Sequence, residues 1–218
     1  KVDGIIGFGD VYTLSIAKAA AAIGKSGSSS AAVLTGDVDD TVSPYHYFEI
    51  PATVRSPALL SGALFMIDAR NGSAAHRVLP GFRTYAGFLD PNLLGAYSKK
   101  YRISVVMDVL LSAVEGYFSA ESTFFFFSLL LRSIGLVLSN LSSILGAEES
   151  RDSLFRIQQA GFFAAYGLAI SSEGMGTATS HILSVKKQVP QPVIATILLP
   201  YVLEYGVKAC PDKVSRMG

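Results

Sequence analysis

Two polar side chains that share one face of a predicted helix are the first candidates for chemistry in this sequence. The apolar pattern predicts a helix over 99–118, which carries Asp108, Ser112 and Glu115. Asp108 and Ser112 are four residues apart, so their side chains are neighbours on the helix surface. A carboxylate binds divalent metals, but a neutral hydroxyl is a poor ligand for a transition metal. The pair therefore offers only half of a metal site, and Asp108 as a helix-dipole partner or Glu115 as a structural carboxylate are the plainer interpretations.

Later segments supply the remaining polar candidates. Residues 173–181 read EGMGTATSH, and residues 189–192 read VPQP with Gln191 in the turn. As an isolated feature, His181 is better interpreted as a packed or helix-capping histidine than as a ligand. One carboxylate and one imidazole at most do not form a tight transition-metal site.

Near the N-terminus, a glycine-containing turn joins a predicted strand to a predicted helix. Gly7, Phe8, Gly9 and Asp10 form this turn, and the position is one where helix N-termini bind phosphate. Asp10 places a negative charge where a phosphate would lie. We therefore favour an ordinary strand-to-helix turn over an anion site.

Taken in order, these segments resemble the motifs of the iron-dependent alcohol dehydrogenase family. Its metal helix reads approximately DALxHAxEAY against residues 108–117, and its cofactor loop reads IPTTxGTGSE against residues 50–59. Its ILLP segment recurs at residues 197–200, and further agreement lies at 65–68 and 88–91. The resemblance spans nearly the whole chain, and the family includes mitochondrial hydroxyacid–oxoacid transhydrogenases.

The resemblance implies metal-ligand positions that have lost their ligands. Asp108 is retained, but Ser112, Thr177 and Gln191 stand where the family has histidines. A small shift of the alignment would place His181 at the ligand position instead of Thr177. We therefore predict no bound metal.

The resemblance also implies that both cofactor loops are degenerate. Arg55 and Pro57 replace glycines whose backbone N–H groups approach a phosphate, and proline has no N–H to offer. Phe8 replaces the middle glycine of the N-terminal turn. We therefore predict that no dinucleotide cofactor is bound, and that Phe8, Asp10, Arg55 and Pro57 occupy or close its space.

The implied fold class is mixed: a truncated α/β dinucleotide-binding remnant followed by an all-helical domain, as in dehydroquinate synthase-like and iron alcohol dehydrogenase-like folds. We place the α/β remnant at 1–91 and the helical domain, a degenerate metal domain, at 92–218. The pattern predicts a set of helices over 99–118, 121–145, 150–172, 175–185 and 191–206. Relative to the family, the first strands and the last helices are missing, which predicts an uncovered sheet edge and uncovered helix faces.

Composition limits the classes of partner. The net charge of +1 gives no field to attract nucleic acid or an anionic membrane, and a single cysteine, Cys210, excludes a disulfide scaffold. The chain is 50% hydrophobic and only 16% charged, which favours a subunit that other proteins cover. The apolar run at 124–145 approaches the length of a membrane span, but Arg132 and several serines favour a buried helix.

Two hypotheses about function follow. In the first, the chain is a non-catalytic pseudoenzyme, without metal or cofactor, that serves as a structural subunit of a larger protein assembly such as a mitochondrial respiratory complex or mitoribosome. In the second, it is a metal-independent NAD(P)-linked oxidoreductase or ligand-binding remnant, in which Asp108, Glu115 and His181 surround a polar pocket. The first hypothesis takes its location from the resemblance alone.

Overall fold

The chain forms two compact units in a computed structural model, which describes residues 2–38, 43–68, 70, 72–146, 150–168, 171 and 173–217. The first unit comprises Lys1–Leu89 and the second comprises Asp90–Gly218. The sequence placed the boundary between residues 91 and 92. Among the described residues, strands occur in the first unit and helices make up the second, in agreement with the predicted fold class.

The α/β unit contains two small sheets and two helices. Its described strands are β1 (Gly4–Gly9), β2 (His46–Pro51), β3 (Ala63–Asp68), β4 (Ser73–Val78) and β5 (Ala86–Gly87). Its helices are α1 (Val11–Ile23) and α2 (Ser30–Thr35). The order β1-β2-β5 is parallel throughout, with Gly4 opposite His46, while β3 and β4 form an antiparallel hairpin.

Alanines allow α1 to pack closely on the sheets. The buried face of α1 includes Ala19, Ala21 and Ala22, which join Tyr47 and Leu64 in the core of this unit. Small side chains permit this close approach, and the helix begins where the Asp10 side chain accepts a hydrogen bond from the Thr13 N–H (2.9 Å). The core therefore fixes the direction in which α1 leaves β1.

One edge of the three-stranded sheet carries apolar side chains. Among the described residues, β1 pairs with β2 alone, so its other side offers unpaired backbone groups. Ile6 is 67% exposed and Phe8 is 56% exposed on this strand. An apolar strand edge of this kind is a surface that natural proteins usually cover.

The helical unit is built around one buried helix. Its described helices are α3 (Asn92–Gly95), α4 (Lys99–Phe118), α5 (Phe124–Leu145), α6 (Arg151–Gly167), α7 (Met175–Lys187), α8 (Gln191–Ala209) and α9 (Pro211–Ser215). Helix α4 packs against α5, α6, α7 and α8, and its residues from Ser104 to Tyr117 are buried with the exception of Met107. Helix α4 is therefore the core helix of this unit, and one of its buried faces carries polar side chains.

The helix bounds differ from the predicted ones at a few ends. Helix α5 begins at Phe124 rather than 121, and α8 continues to Ala209 rather than 206, through Pro200. Helix α6 ends at Gly167 rather than 172, with Leu168 as its C-cap; residues 169, 170 and 172 lie outside the described residues. Glycine favours helix termination, which accounts for the early end of α6.

Helices α5 and α8 are, among the described residues, long and apolar enough to cross a membrane on length and composition alone. Core helices of soluble proteins pass the same criterion. Helix α5 packs on α4 and α6 through Leu130, Ile134 and Val137, which are buried, whereas other apolar side chains of α5 remain exposed.

Candidate functional site

Asp108 and Ser112 lie in the middle of α4, in the most buried part of the helical unit. Both residues are fully buried, and they stand one turn apart on the same face. The Ser112 hydroxyl donates back to the carbonyl of Val109 (3.1 Å). This backbone hydrogen bond satisfies the hydroxyl within its own helix.

Gln191, the first residue of α8, supplies the partner of the buried carboxylate. Its Nε2 donates to Asp108 Oδ1 (3.1 Å) and to the hydroxyl of Ser180 (2.7 Å). The Ser180 hydroxyl in turn donates to the carbonyl of Thr177 (2.7 Å). The reverse orientation of the amide would place its carbonyl oxygen against a carboxylate, so electrostatics sets the donor there. One amide thus connects α4 with α7 and α8.

The predicted ligand positions do not fit a divalent metal ion. Asp108 provides one carboxylate, Ser112 and Thr177 provide hydroxyls, and Gln191 directs N–H donors at the carboxylate. A metal ligand must present a lone pair, which an amide N–H lacks. No group of three or more His, Cys, Asp or Glu side chains suited to a metal occurs in the described part of the chain. The Gln191 amide engages Oδ1 of Asp108, an oxygen that would have to offer its lone pair to a metal.

His181 belongs to α7, one turn after Thr177. Its side chain is half-buried, and among the described residues it belongs to no group of three or more metal-ligating side chains. The sequence left open whether His181 or Thr177 occupies the ligand position. Thr177 is fully buried in the helical core and contributes its backbone carbonyl to the Ser180 hydroxyl.

Glu115 determines where α7 begins. Its carboxylate accepts hydrogen bonds from the backbone N–H groups of Gly174 (3.2 Å), Gly176 (2.6 Å) and Thr177 (2.9 Å). Glycine is needed at two of these positions, because a Cβ atom at Gly174 or Gly176 would come within 2.5 or 2.8 Å of the Glu115 carboxylate. An internal anion therefore satisfies the free amides of this helix N-terminus.

Sequence reasoning did not assign this role to Glu115. The available signal was its spacing: Glu115 follows Asp108 by two helical turns, so the two carboxylates lie on one face of α4. A carboxylate on that face and a later Gly-x-Gly helix start form a complementary pair, since glycines expose backbone N–H groups.

In the α/β unit, the predicted phosphate-binding turn is occupied by its own side chain. The Asp10 carboxylate accepts the Thr13 N–H at the start of α1, so the helix N-terminus already has an anionic partner. Gly9 adopts φ +150°, and a Cβ there would meet Thr13 at 2.8 Å. Phe8 extends outward and is 56% exposed. A phosphate at this turn would meet a carboxylate of like charge.

The second predicted cofactor segment lies beside this turn. The Ala52 N–H donates to the carbonyl of Gly9 (2.8 Å), which places the ends of β1 and β2 next to each other. Arg55 and Ser56 are buried, at 7% and 4% exposure, so the Arg55 side chain packs inside the α/β unit. Pro57, which has no N–H, is half-buried.

A buried lysine holds the segment that follows. Lys18 Nζ donates to three backbone carbonyls, those of Ala58 (2.8 Å), Ser61 (2.8 Å) and Ala63 (3.2 Å). The Glu49 carboxylate lies 3.8 Å from the ammonium and accepts the Leu60 N–H (2.6 Å). Burial lowers the pKa of Lys18 from its usual value, and the Glu49 charge opposes that shift. The resemblance aligned Lys18 with the lysine that ends the family's N-terminal glycine motif, with about two residues inserted before it.

These contacts do not fit a dinucleotide at the two predicted positions. The Asp10 carboxylate accepts the Thr13 N–H at the first position, and the Glu49 carboxylate accepts the Leu60 N–H just after the second. The structure brings the two segments together within the α/β unit, but two N–H donors near them already have anionic partners, and Pro57 has no N–H to offer a phosphate.

Comparisons with known proteins identify the lineage. The model of the Fe-containing alcohol dehydrogenase family, C-terminal, matches residues 102–218. The chain is 24% identical over 218 residues to Probable alcohol dehydrogenase EutG of Escherichia coli (strain K12), and covers 99% of itself and 54% of that protein. The chain thus spans about half the length of the curated relatives that it matches.

Solved structures show the same fold. The iron-containing alcohol dehydrogenase of Thermotoga maritima superposes with a TM-score of 0.85 at 23% identity, over 100% of this chain and 59% of that chain. The sulfoacetaldehyde reductase of Bifidobacterium kashiwanohense, solved in complex with NAD+, superposes with a TM-score of 0.89 at 19% identity, over 99% of this chain and 58% of that chain.

The prediction that this chain is not an enzyme is wrong by these comparisons. The curated relatives are named alcohol dehydrogenases, and the fold is shared with iron-containing alcohol dehydrogenases. The physical error was to extend the argument from particular ligand positions to all catalysis. The replaced residues bear on the binding of a metal and of a cofactor phosphate. They do not exclude every reaction that the site can perform.

The resemblance inferred from the motifs is therefore confirmed. The family model covers more than half of the chain, and it includes the helix of Asp108 and the turn of Gln191. This chain belongs to the Fe-containing alcohol dehydrogenase family.

Proposed function

We propose that this chain is an alcohol–aldehyde oxidoreductase that works without a divalent metal at the Asp108 position. Family membership supports the oxidoreductase class, because the matched relatives are named alcohol dehydrogenases. The observation that carries the metal-independent part is the hydrogen bond from Gln191 Nε2 to Asp108 Oδ1 (3.1 Å). It places a neutral amide donor on the buried carboxylate.

The cluster of Asp108, Ser180 and Gln191 holds the two N–H donors of the Gln191 amide in fixed directions. Gln191 has two N–H donors, and Asp108 and Ser180 accept them, so the amide cannot rotate without losing both bonds. The proposal takes NADH or NADPH as the co-substrate that supplies the hydride to the aldehyde, and it assigns this co-substrate no position in the fold, because the Asp10 turn and the 50–59 segment do not fit its phosphates.

The test is a turnover assay on the purified protein. Aldehyde reduction is followed by the absorbance of NADH or NADPH, with a chelator in one series and added Fe²⁺ or Zn²⁺ in another. We expect turnover that the chelator leaves unchanged and that Gln191→Leu reduces by about tenfold to a hundredfold, as the loss of a positioning hydrogen bond does. The matched control is Gln188→Leu, at the exposed C-cap of α7.

Two results would overturn this proposal. One is turnover that appears only when metal is added, which would mean that Asp108 binds a cation after all. The other is no turnover of short aldehydes or alcohols with either dinucleotide, with folding verified by circular dichroism.

A separate observation favours a second role, as a subunit within a larger protein assembly. Phe124, Leu138 and Leu145 are 78%, 51% and 51% exposed and recur at seven-residue spacings along α5, with half-buried Leu131 between them. An apolar stripe at this spacing is typical of a helix that packs on another helix. A mitochondrial location is a prediction from the resemblance alone.

Light scattering tests the assembly role. We expect the purified chain to exceed its monomer mass of 23.1 kDa, and we expect Leu138→Lys with Leu145→Lys to reduce the mass. A sharp monomer that unfolds cooperatively on heating would contradict this role.

A further inference from the structure

A cavity of about 610 Å³ lies within the helical unit, separate from the Asp108 cluster. Its walls come from the end of α4, the start of α7 and one face of α8, and neither Asp108 nor Gln191 lines it. The volume falls within the ~300–1,000 Å³ range of small-molecule sites. Neither the metal position nor the cofactor loops account for it.

Most of the side chains that line this cavity are apolar or aromatic. The larger ones are Phe118, Met175, Leu198, Tyr201, Val202 and Tyr205. Small-molecule sites are typically lined in this way, with a few polar groups among the apolar ones. The uncharged polar groups here include the hydroxyls of Ser119 and Thr179. Met175 is 78% exposed, so part of the apolar lining is in water and would be buried by a ligand.

The charged groups of the lining already have partners within the protein. They are the carboxylates of Glu115 and Glu173, and no Lys, Arg or His lines the cavity among the described residues. Glu115 accepts three backbone N–H groups at the start of α7. Glu173 likewise has an interaction partner. An ion that entered the cavity would lose its water without gaining a free counter-charge, which is costly.

The wall is fixed before any ligand arrives. Lys213 Nζ donates to the carbonyls of Tyr117 (3.1 Å), Phe118 (3.3 Å) and Ser119 (2.9 Å), which caps the C-terminal end of α4. Gly206 lies against the Phe118 ring so closely that any side chain there would displace it. The position of Phe118 is therefore set by α8 and α9 together, and a wall that is already ordered costs less to bind against.

We propose that this cavity binds an uncharged small molecule with a largely apolar body and a single hydroxyl or carbonyl group, such as an arylalkyl alcohol. The apolar lining supplies the burial, and the hydroxyls of the lining match a neutral polar group. An ion of the same shape is disfavoured, because the two carboxylates of the lining are already engaged. The proposal does not depend on the oxidoreductase function.

Three probes of one shape and different charge test this preference. Phenylbutanol is neutral, phenylbutylamine is a cation and phenylbutyrate is an anion at neutral pH, and each is titrated into the full chain by isothermal calorimetry. We expect the alcohol to bind on the order of tenfold more tightly than either ion, because only the ions lose the hydration of a charge. Either ion binding as tightly as the alcohol, or no binding of the alcohol at millimolar concentration, would overturn the proposal.

Cys210 locates the binding in the natural chain. It is the single cysteine of the sequence, it is half-buried and it lines the cavity, so it serves as a reporter of occupancy. We expect phenylbutanol to slow the alkylation of Cys210 by N-ethylmaleimide severalfold, over the same concentration range as the calorimetric titration. Mass spectrometry measures the rate, and free cysteine in the same solution is the control. An unchanged rate of Cys210 alkylation at saturating phenylbutanol would contradict the assignment to this cavity.

A matched pair of tryptophan variants gives an independent location. Ala209→Trp adds an indole to the lining and is expected to abolish the binding of phenylbutanol. Val207→Trp, at a position that is 55% exposed and outside the lining, is expected to leave the affinity unchanged. Circular dichroism verifies that both variants are folded.

Two results from this pair contradict the proposal. One is undiminished binding of phenylbutanol in folded Ala209→Trp. The other is self-association of the natural chain that Ala209→Trp disrupts while no probe binds, which would identify the cavity as an interface between two copies of the chain.

Discussion

The two units each use one buried charge to hold a glycine- or proline-containing segment, but the charges have opposite signs. In the α/β unit, the Lys18 ammonium is surrounded by carbonyls of residues 58–63. In the helical unit, the Glu115 carboxylate is surrounded by N–H groups of residues 174–177. In both places an internal side chain satisfies the hydrogen-bonding capacity of backbone groups in a connecting segment.

The two arrangements differ in what balances the charge. Lys18 has a full counter-charge in Glu49 at 3.8 Å, and both side chains are 1% exposed. Glu115 has backbone amides and the positive end of the α7 dipole instead. Removing one member of a buried ion pair leaves an uncompensated charge, whereas removing a carboxylate from a helix start leaves neutral amides. We therefore expect removal of the buried charge to lower the free energy of unfolding more in the α/β unit than in the helical unit.

The largest expected effect comes from Lys18→Met. This change leaves Glu49 and three carbonyls buried without their cation, and we expect a loss of about 3–5 kcal/mol in the free energy of unfolding. Urea unfolding followed by circular dichroism measures it. Lys25→Met is the control, since exposed Lys25 donates to the single carbonyl of Pro44 (3.2 Å). Comparable losses in both variants would contradict the assigned role of Lys18.

A smaller loss is expected from Glu115→Gln. The amide retains one acceptor oxygen for the three N–H groups of Gly174, Gly176 and Thr177, so we expect a loss on the order of 2 kcal/mol. Amide hydrogen exchange at Gly176 and Thr177 should accelerate, which locates the effect at the start of α7. A loss in the free energy of unfolding larger than that of Lys18→Met would contradict the expectation that the α/β unit depends more strongly on its buried charge.

The smallest effect is one of pH, at Tyr47. Its hydroxyl is buried and donates to the carbonyl of Leu14 (3.0 Å). Burial raises the pKa of Tyr47 above its usual range, and the Glu49 charge adds to the shift. A raised pKa in the folded state means that the protonated hydroxyl stabilises the fold fully below the unfolded pKa of about 10, and that this contribution is lost as the pH rises further.

Tyr47→Phe tests this dependence. At pH 8 the loss of the hydrogen bond should cost about 1 kcal/mol. At pH 11 the difference between wild type and Tyr47→Phe should shrink by on the order of 1 kcal/mol, because unfolded wild type gains an ionised tyrosine. The other tyrosines are common to both proteins and cancel. An equal difference at both pH values would show that Tyr47 titrates normally in the fold.

Motif order and periodicity were sufficient to predict the fold class and most of the helices. The apolar repeat at 99–118 gave α4 its bounds, and the turn at 189–192 gave the start of α8, because both signals are local. The end of α6 was missed because a single glycine inside an apolar pattern, here Gly167, is a weak sequence signal for helix termination.

The sequence could not show which internal groups replace the lost ligands. The Gln191–Asp108 pair joins residues 83 positions apart, and the contact of Lys18 with Ala58 joins residues 40 positions apart. Such pairs depend on tertiary packing, which no local pattern encodes. The inference that lost ligands mean lost catalysis was wrong for a different reason. It assumed that the family's reaction can proceed by one mechanism only.

The central claim is that Gln191 holds Asp108 where a metal would bind, and metal analysis tests it most directly. The purified chain is incubated with Fe²⁺ or Zn²⁺, freed of unbound metal and analysed by inductively coupled plasma mass spectrometry, beside a Ser112→His/Gln191→His variant of verified fold. We predict background metal in the natural chain and an increase toward one equivalent in the variant. Near-stoichiometric metal in the natural chain, or no increase in the folded variant, would contradict the claim.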